Sequence, residues 1–191
     1  MSLPGPARRF AALATTICIP VLVTFAGERI DIRIDDNWRV KLEKMSFNAD
    51  KNPLPLNTRQ NVVIPHQFND YNTYLGGDTH IYGTALYERH VTIDAQHAGS
   101  RVFAWFEGAG HYATVYINGH EAGRHRGLRV GFSVDLTDHI EFGGDNLLEV
   151  RVEYPRADET NLFDLPFMDG GNAGGAHCEG TEPFGIHKPV H

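Results

Sequence analysis

Residues 112–136 read Tyr112-Ala-Thr-Val-Tyr-Ile-Asn-Gly119, then His120 to Arg129, then Val130-Gly-Phe-Ser-Val-Asp-Leu136, and they decide the fold. Tyr112 to Ile117 has the two-residue period of a half-buried strand, with Ala113, Val115 and Ile117 on one face. Asn118-Gly119 follows at once. Asn and Gly tolerate positive φ, so the pair is the strongest short signal for a two-residue hairpin turn. A Gly-containing return leads into a second alternating stretch that puts Phe132 and Val134 on one side. Arg124, Arg126 and Arg129 in the return read as a solvated hairpin tip.

The same period appears on both sides of this hairpin. Ile30 to Ile34 and Trp38 to Met45 alternate apolar with polar residues, as do Thr84 to Ile93, Arg101 to Glu107 and Leu148 to Tyr154. Val62-Val63-Ile64-Pro65 reads as a short buried run. Ala95 to Gly99 fits a turn of helix or a hairpin loop equally well. No stretch shows a sustained helical period. Several short strands divided by turn signals predict an all-β fold, an antiparallel jelly-roll β-sandwich. Its expected core is Leu86 or Tyr87, with Val102, Phe106, Val115, Ile117, Phe132, Val134, Leu148, Val150 and Val152.

At 191 residues, with 41% hydrophobic and 21% charged residues, the chain can bury one full core. A formal charge of -7 argues against nucleic acid as a partner, because phosphate binding needs a basic face. Ala7-Arg8-Arg9 precedes an uncharged run from Phe10 to Ala26 that ends in small residues. Residues 1–26 therefore read as a secretory signal, too short and Pro-interrupted for a comfortable membrane span. The expectation is a secreted or periplasmic protein, off the membrane once the signal is removed, with residues 27–191 as its single domain. Only Cys178 would then remain, so the fold rests on its core without an internal disulfide.

Two long polar segments stand out. His66 to Gly83 and Ala157 to Pro183 are rich in Asn, Asp, Gly and aromatic residues, and long loops in compact domains are often functional. A sugar site needs a flat apolar face for the ring and polar groups for its hydroxyls. Tyr71, Tyr74, Tyr82, Phe163 and Phe167 suit the first role. Asn69, Asp70, Asp78, Asp169 and Asn172 suit the second.

Six segments in order resemble the N-terminal sugar-binding domain of glycoside hydrolase family 2, the β-galactosidases and β-glucuronidases. They are DDNWRVKL from Asp35, VIPHQFND from Val63, GTALYERHVTI from Gly83, the run from Gly99 to Gly127, the run from Phe132 to Glu153, and GIHKPV from Gly185. The resemblance covers Trp38 to Val190 and implies a galactose-binding-domain-like jelly roll. It departs from the family pattern at Gly127-Leu-Arg-Val-Gly-Phe132 and at Lys188, where Arg is common. In the family, an acidic residue six positions before the Gly-Ile pair reaches the sugar pocket of the catalytic barrel; here that position is Glu179. The Asn of the family's Pro-His-x-x-Asn loop corresponds to Asn69, followed by Asp70.

The resemblance implies a carbohydrate partner, a β-galactoside or β-glucuronide, and downstream Ig-like and barrel domains. It also implies that the two catalytic carboxylates, about 5 Å apart in retaining enzymes, lie beyond residue 191. No catalytic residue is expected in this chain, which reads as an accessory domain of a hydrolase. The other reading is an independent exported lectin-like or structural sandwich. No cofactor is called for. His120-Glu-Ala-Gly-Arg-His125 has one residue too many for a zincin helix and falls on a hairpin. His177, Cys178 and His187 lack the spacing of a metal site, so no metal is expected.

Overall fold

The computed structural model describes residues 29–47, 56–68, 81–154 and 183–191. The chain divides into two compact units, Met1–Ile30 and Asp31–His191, and only residues 29 and 30 of the first are described. Residues 1–26, expected to form a secretory signal, lie outside the described residues. Everything below concerns the second unit.

Eleven strands are described: β1 (Trp38–Phe47), β2 (Gln60–Val62), β3 (His66–Gln67), β4 (Ile81–Thr92), β5 (Phe103–Phe106), β6 (Ala109–Gly110), β7 (Tyr112–Ile117), β8 (His120–Arg126), β9 (Phe132–Asp135), β10 (Asp145–Tyr154) and β11 (Gly185–Ile186). Six form one antiparallel sheet in the order β2-β1-β4-β10-β7-β8. The short strands form a three-stranded group, β3-β11-β6, and the pair β5-β9. Side chains from the large sheet and from the short strands meet in one core, so the molecule is an antiparallel β-sandwich.

Strand alternation builds that core. Leu148, Val150, Val152 and Tyr154 of β10 are all buried, with Glu149, Arg151 and Glu153 on the other face. Val150 is registered against Tyr87 on one side and Val115 on the other, both fully buried. Phe106, Phe132, Val134, Ile186 and Val190 close the core from the opposite layer. Each such side chain stabilises the fold by roughly 1.5–3 kcal/mol relative to exposure. Tyr87 rather than Leu86 is the inward residue of its pair, and Val102 is half-buried against the core edge.

The Asn118-Gly119 turn joins β7 to β8 with φ of 51° and 79°, the doubly positive geometry that its sequence favours. Asn118 also ties the turn to β10: its Oδ1 accepts from the Leu147 amide at 2.9 Å, and its Nδ2 donates to Asn146 Oδ1 at 2.8 Å. The arginines placed at a hairpin tip by the sequence belong instead to the returning strand and its exit. Arg124 and Arg126 are in β8, Arg124 bonded to Glu121 and Arg126 over the Tyr112 ring. The tip itself is Asn118-Gly119.

Other expectations are also corrected. Ile30 to Ile34 is not a strand; it makes one ladder-like bond, from the Ile34 amide to the Val190 carbonyl, and Ile32 faces solvent. Val62 to Pro65 is not a buried run. β2 ends at Val62 on the sheet edge, Val63 is 65% exposed, and only Ile64 turns fully inward. The supposed loop from His66 to Gly83 begins as β3 and ends inside β4. Ala95–His97 is a 3-10 turn capped by Asp94.

Candidate functional site

Both predicted site loops spring from the same end of the sandwich. One connects Phe68 to Ile81 and the other connects Tyr154 to Pro183. Asn69, Asp70 and Glu179 lie on these connections, outside the described residues, as do Tyr71, Tyr74, Asp78, Phe163, Phe167, Asp169 and Asn172. Their roots are described and they are neighbours. The Phe68 amide donates to the Phe184 carbonyl at 2.8 Å, and Tyr154 is registered against Gly83.

Aromatic rings cement these roots. Phe68 and Phe184 have centroids 5.1 Å apart, Tyr82 and Tyr154 4.9 Å, and Tyr154 and Phe184 6.1 Å. Such pairs add about 0.5–1.5 kcal/mol beyond their burial. Tyr82, expected as an exposed sugar platform, is therefore in β4 with its ring against Tyr154. Tyr154 and Phe184 are fully buried, so this cluster is part of the core and does not itself offer a binding surface.

Histidines line the same end. The His66 ring lies 2.7 Å from the Tyr87 hydroxyl through Nδ1. The His111 ring stacks on Tyr154 at 4.2 Å and 9°. Burial, and secondarily the charge of His187, pushes His111 down to about 4. Burial likewise lowers His66 and His187 below the usual histidine value, and raises Tyr87. At neutral pH these imidazoles are uncharged, each with one N–H donor and one acceptor nitrogen. Gly185, at φ 143°, is needed here because a Cβ would come within 2.5 Å of the His66 carbonyl and 2.6 Å of the Tyr87 hydroxyl.

The histidines are far apart in the sequence, at positions 66, 111 and 187. Their convergence depends on pairing between β3, β11 and β6, strands of two residues each, which leave no periodic signal. The one available clue is that His66, His111 and His187 each sit within a segment that carries the resemblance.

An open cleft of ≈ 530 Å³ lies elsewhere, at the β2-β1-β4 edge, lined by Asn37, Trp38, Arg39, Asn61, Val62, Val63, Glu88, Arg89 and His90. Among the lining residues, the buried Glu88 carboxylate lies 2.8 Å from both the Arg39 and Arg59 guanidinium groups. Burial alone would raise Glu88, but the Arg59 bond and the charges of Arg39 and Arg59 outweigh it and hold the carboxyl below its usual value. This closed ion-pair network reads as structural. Among the described residues, no group of three His, Cys, Asp or Glu is placed to hold a metal ion, and no helix is long and apolar enough to cross a membrane.

The class is now defined: a jelly-roll-type β-sandwich in which Phe68, Tyr82, Tyr154 and Phe184, the described residues flanking the two candidate segments, pack together at one end. The model of the glycosyl hydrolases family 2 sugar binding domain matches residues 24–169, and the chain belongs to that family. It is 34% identical over 109 residues to a beta-glucuronidase of Formosa agariphila, covering 53% of this chain and 11% of that protein. It is 30% identical over 93 residues to a beta-galactosidase of Thermoanaerobacter pseudethanolicus, covering 48% of this chain and 12% of that protein. The chain thus spans only a small part of the length of these relatives. Among solved structures, the Bacteroides uniformis beta-glucuronidase superposes with a TM-score of 0.58 at 23% identity, over 83% of this chain and 17% of that one, a likeness of fold.

Proposed function

We propose that this sandwich serves as the carbohydrate-binding accessory domain of a β-glucuronidase- or β-galactosidase-like hydrolase, and that its two rooted loops reach the sugar. The observation that carries this reading is the shared origin of those loops beside Phe68, Tyr82, Tyr154 and Phe184. Loops that leave from one place can deliver Asn69, Asp70 and Glu179 to one ligand. Glu179, as an ionised carboxylate, would accept hydrogen bonds from sugar hydroxyls. The bond-breaking pair of carboxylates belongs, on this reading, to a barrel on a further domain.

The test joins this chain to the downstream domains of the gene and compares Glu179→Ala with the parent on aryl β-glucuronides and β-galactosides. A loss of about ten-fold or more in kcat/KM is expected, because a hydrogen bond to a charged group contributes roughly 1.5–3 kcal/mol. Unchanged kinetics with an intact fold would remove Glu179 from the sugar site.

A further inference from the structure

We propose that the cleft at the β2-β1-β4 edge is a second saccharide site, in which Arg39 takes the carboxylate of a uronic-acid sugar. It is separate from the loop end and goes beyond the reading above.

Strand alternation sets which side chains reach this cleft. Trp38 and Val40 turn inward from β1 and are buried, so Arg39 between them faces outward, its side chain 46% exposed. Asn61 is registered opposite Arg39 on β2, and Glu88 opposite it on β4. Asn37, Asn61 and His90 are exposed and line the cleft with Arg39, as does Val63. Groups carried on paired strands keep their spacing better than groups on loops.

Glu88 does not use up the cations around it. Arg59 alone holds both of its oxygens, Nε to Oε1 at 2.8 Å and Nη2 to Oε2 at 3.3 Å. Arg39 adds one contact, from Nη2 to Oε1 at 2.8 Å, whereas a guanidinium has five N–H donors. Its planar fork therefore keeps donors for a second carboxylate, which such a fork meets with two parallel bonds. The neighbouring acids are engaged elsewhere. Glu43 faces Lys41 at 2.9 Å and Arg151 at 3.6 Å, Asp36 faces Arg89 at 2.7 Å, and Asp145 bonds to His90 at 2.8 Å on the exposed rim. Glu149 is opposite Glu88 on β10, two strands from Arg39. That is about 10 Å, close to the screening length of physiological salt. The cleft thus lies at the positive end of this row.

The remaining lining suits the rest of a sugar. With the carboxylate on Arg39, the hydroxyls meet the carboxamides of Asn37 and Asn61, each of which can donate and accept. Val63, 65% exposed, offers an apolar surface to the C–H face. A neutral glycoside lacks the one group that Arg39 is placed to hold, so the ligand is a uronide.

The full chain, isotope-labelled, is titrated with methyl β-glucuronide and methyl β-galacturonide. Saturable amide shifts are expected at residues 37–39, 61–63 and 88–90, with a dissociation constant on the order of millimolar for at least one uronide. Binding should weaken as salt is raised. Methyl β-glucopyranoside, without the carboxylate, and acetate, without the hydroxyls, should each bind several-fold more weakly at equal ionic strength. Arg39→Gln should weaken the uronide about ten-fold, the effect of one hydrogen bond to a charged group. Arg39→Lys, which keeps the charge without the fork, should lose less. Asn61→Ala should weaken it several-fold with unchanged melting, because that residue is exposed. If Arg39→Gln lowers the melting temperature, Asn61→Ala decides. The shifts should persist in Glu179→Ala, so this site and the loop end can fail independently. Absence of saturable shifts with both uronides, shifts confined to the loop roots, or affinity unaltered by Arg39→Gln and Asn61→Ala would each overturn the proposal. Equal binding of acetate or of the neutral glycoside would overturn it as well.

Discussion

Asn146 has no exposed surface, yet both ends of its amide are matched. Oδ1 accepts from Asn118 Nδ2 at 2.8 Å and from the Glu141 amide at 2.7 Å. Nδ2 donates to the Glu141 carbonyl at 3.0 Å and lies 3.3 Å from the carbonyls of Val91 and Gly144. One side chain thus joins β4, the β7-β8 turn and the loop before β10. Asn146→Ala strands these buried groups, at a cost of about 2 kcal/mol or more. The melting temperature should fall by roughly 4–8 °C. Asn146→Asp should cost at least as much, because its carboxylate would face carbonyl oxygens. A calorimetric scan showing no fall in either variant would show that the network contributes nothing.

β10 is the element on which the large sheet depends, paired over its length with β4 and over six residues with β7. Val115 of β7 sits opposite Val150 and is fully buried. Val115→Asp places an unpaired charge in that contact, a cost comparable with the whole stability of a domain. The variant should be unfolded by circular dichroism; a native melting transition would refute the face assignment. The long strands were legible because alternation over six or more residues marks a buried face, as in Leu148, Val150, Val152 and Tyr154. Short elements were not. Gln60–Val62 ends before Val63 can turn inward, and Gly185–Ile186 carries no period at all. Hydropathy also misled at Ile30 to Ile34, which alternates but makes only one ladder-like bond among the described residues, to the Val190 carbonyl. At the candidate site, the loop positions came from motif spacing, whereas the aromatic roots and neutral histidines depend on pairings between distant segments.

At the scale of the molecule, proton binding sets the range of stability. Burial lowers His66, His111, His125 and His187, His111 to about 4. The unfolded chain then takes up protons before the folded one, so their contribution is present above the ordinary value of 6.5 and declines as pH falls toward 4. Asp135, held down to about 2 chiefly by its Thr137 bond and also by Arg101, adds a further loss at lower pH. His191 has the opposite sign: the Glu107 bond, with Asp31, raises it, so its contribution is present below 6.5 and is lost as pH rises through the raised value. The melting temperature should peak near neutrality and fall between about pH 6.5 and about pH 4. His111→Phe, which keeps a ring on Tyr154, should flatten the acid side. His191→Gln should flatten the alkaline side. A profile level from neutral to pH 4 would contradict the buried neutral histidines.

The turn that joins β7 to β8 is also a chemical clock. In a mobile Asn-Gly pair the glycine amide nitrogen attacks the asparagine side-chain carbonyl, ammonia leaves, and water opens the resulting ring to aspartate or its isomer. Asn118 is denied that motion while folded, because its amide bonds to Leu147, Asn146 and the His139 carbonyl hold both ends. Deamidation should therefore report opening of this hairpin. Peptide mapping after storage should find Asn118 intact in the parent and converted faster in Asn146→Ala, whose turn has lost one of its ties. Equal rates in the two proteins would mean that the clock is not held by the fold.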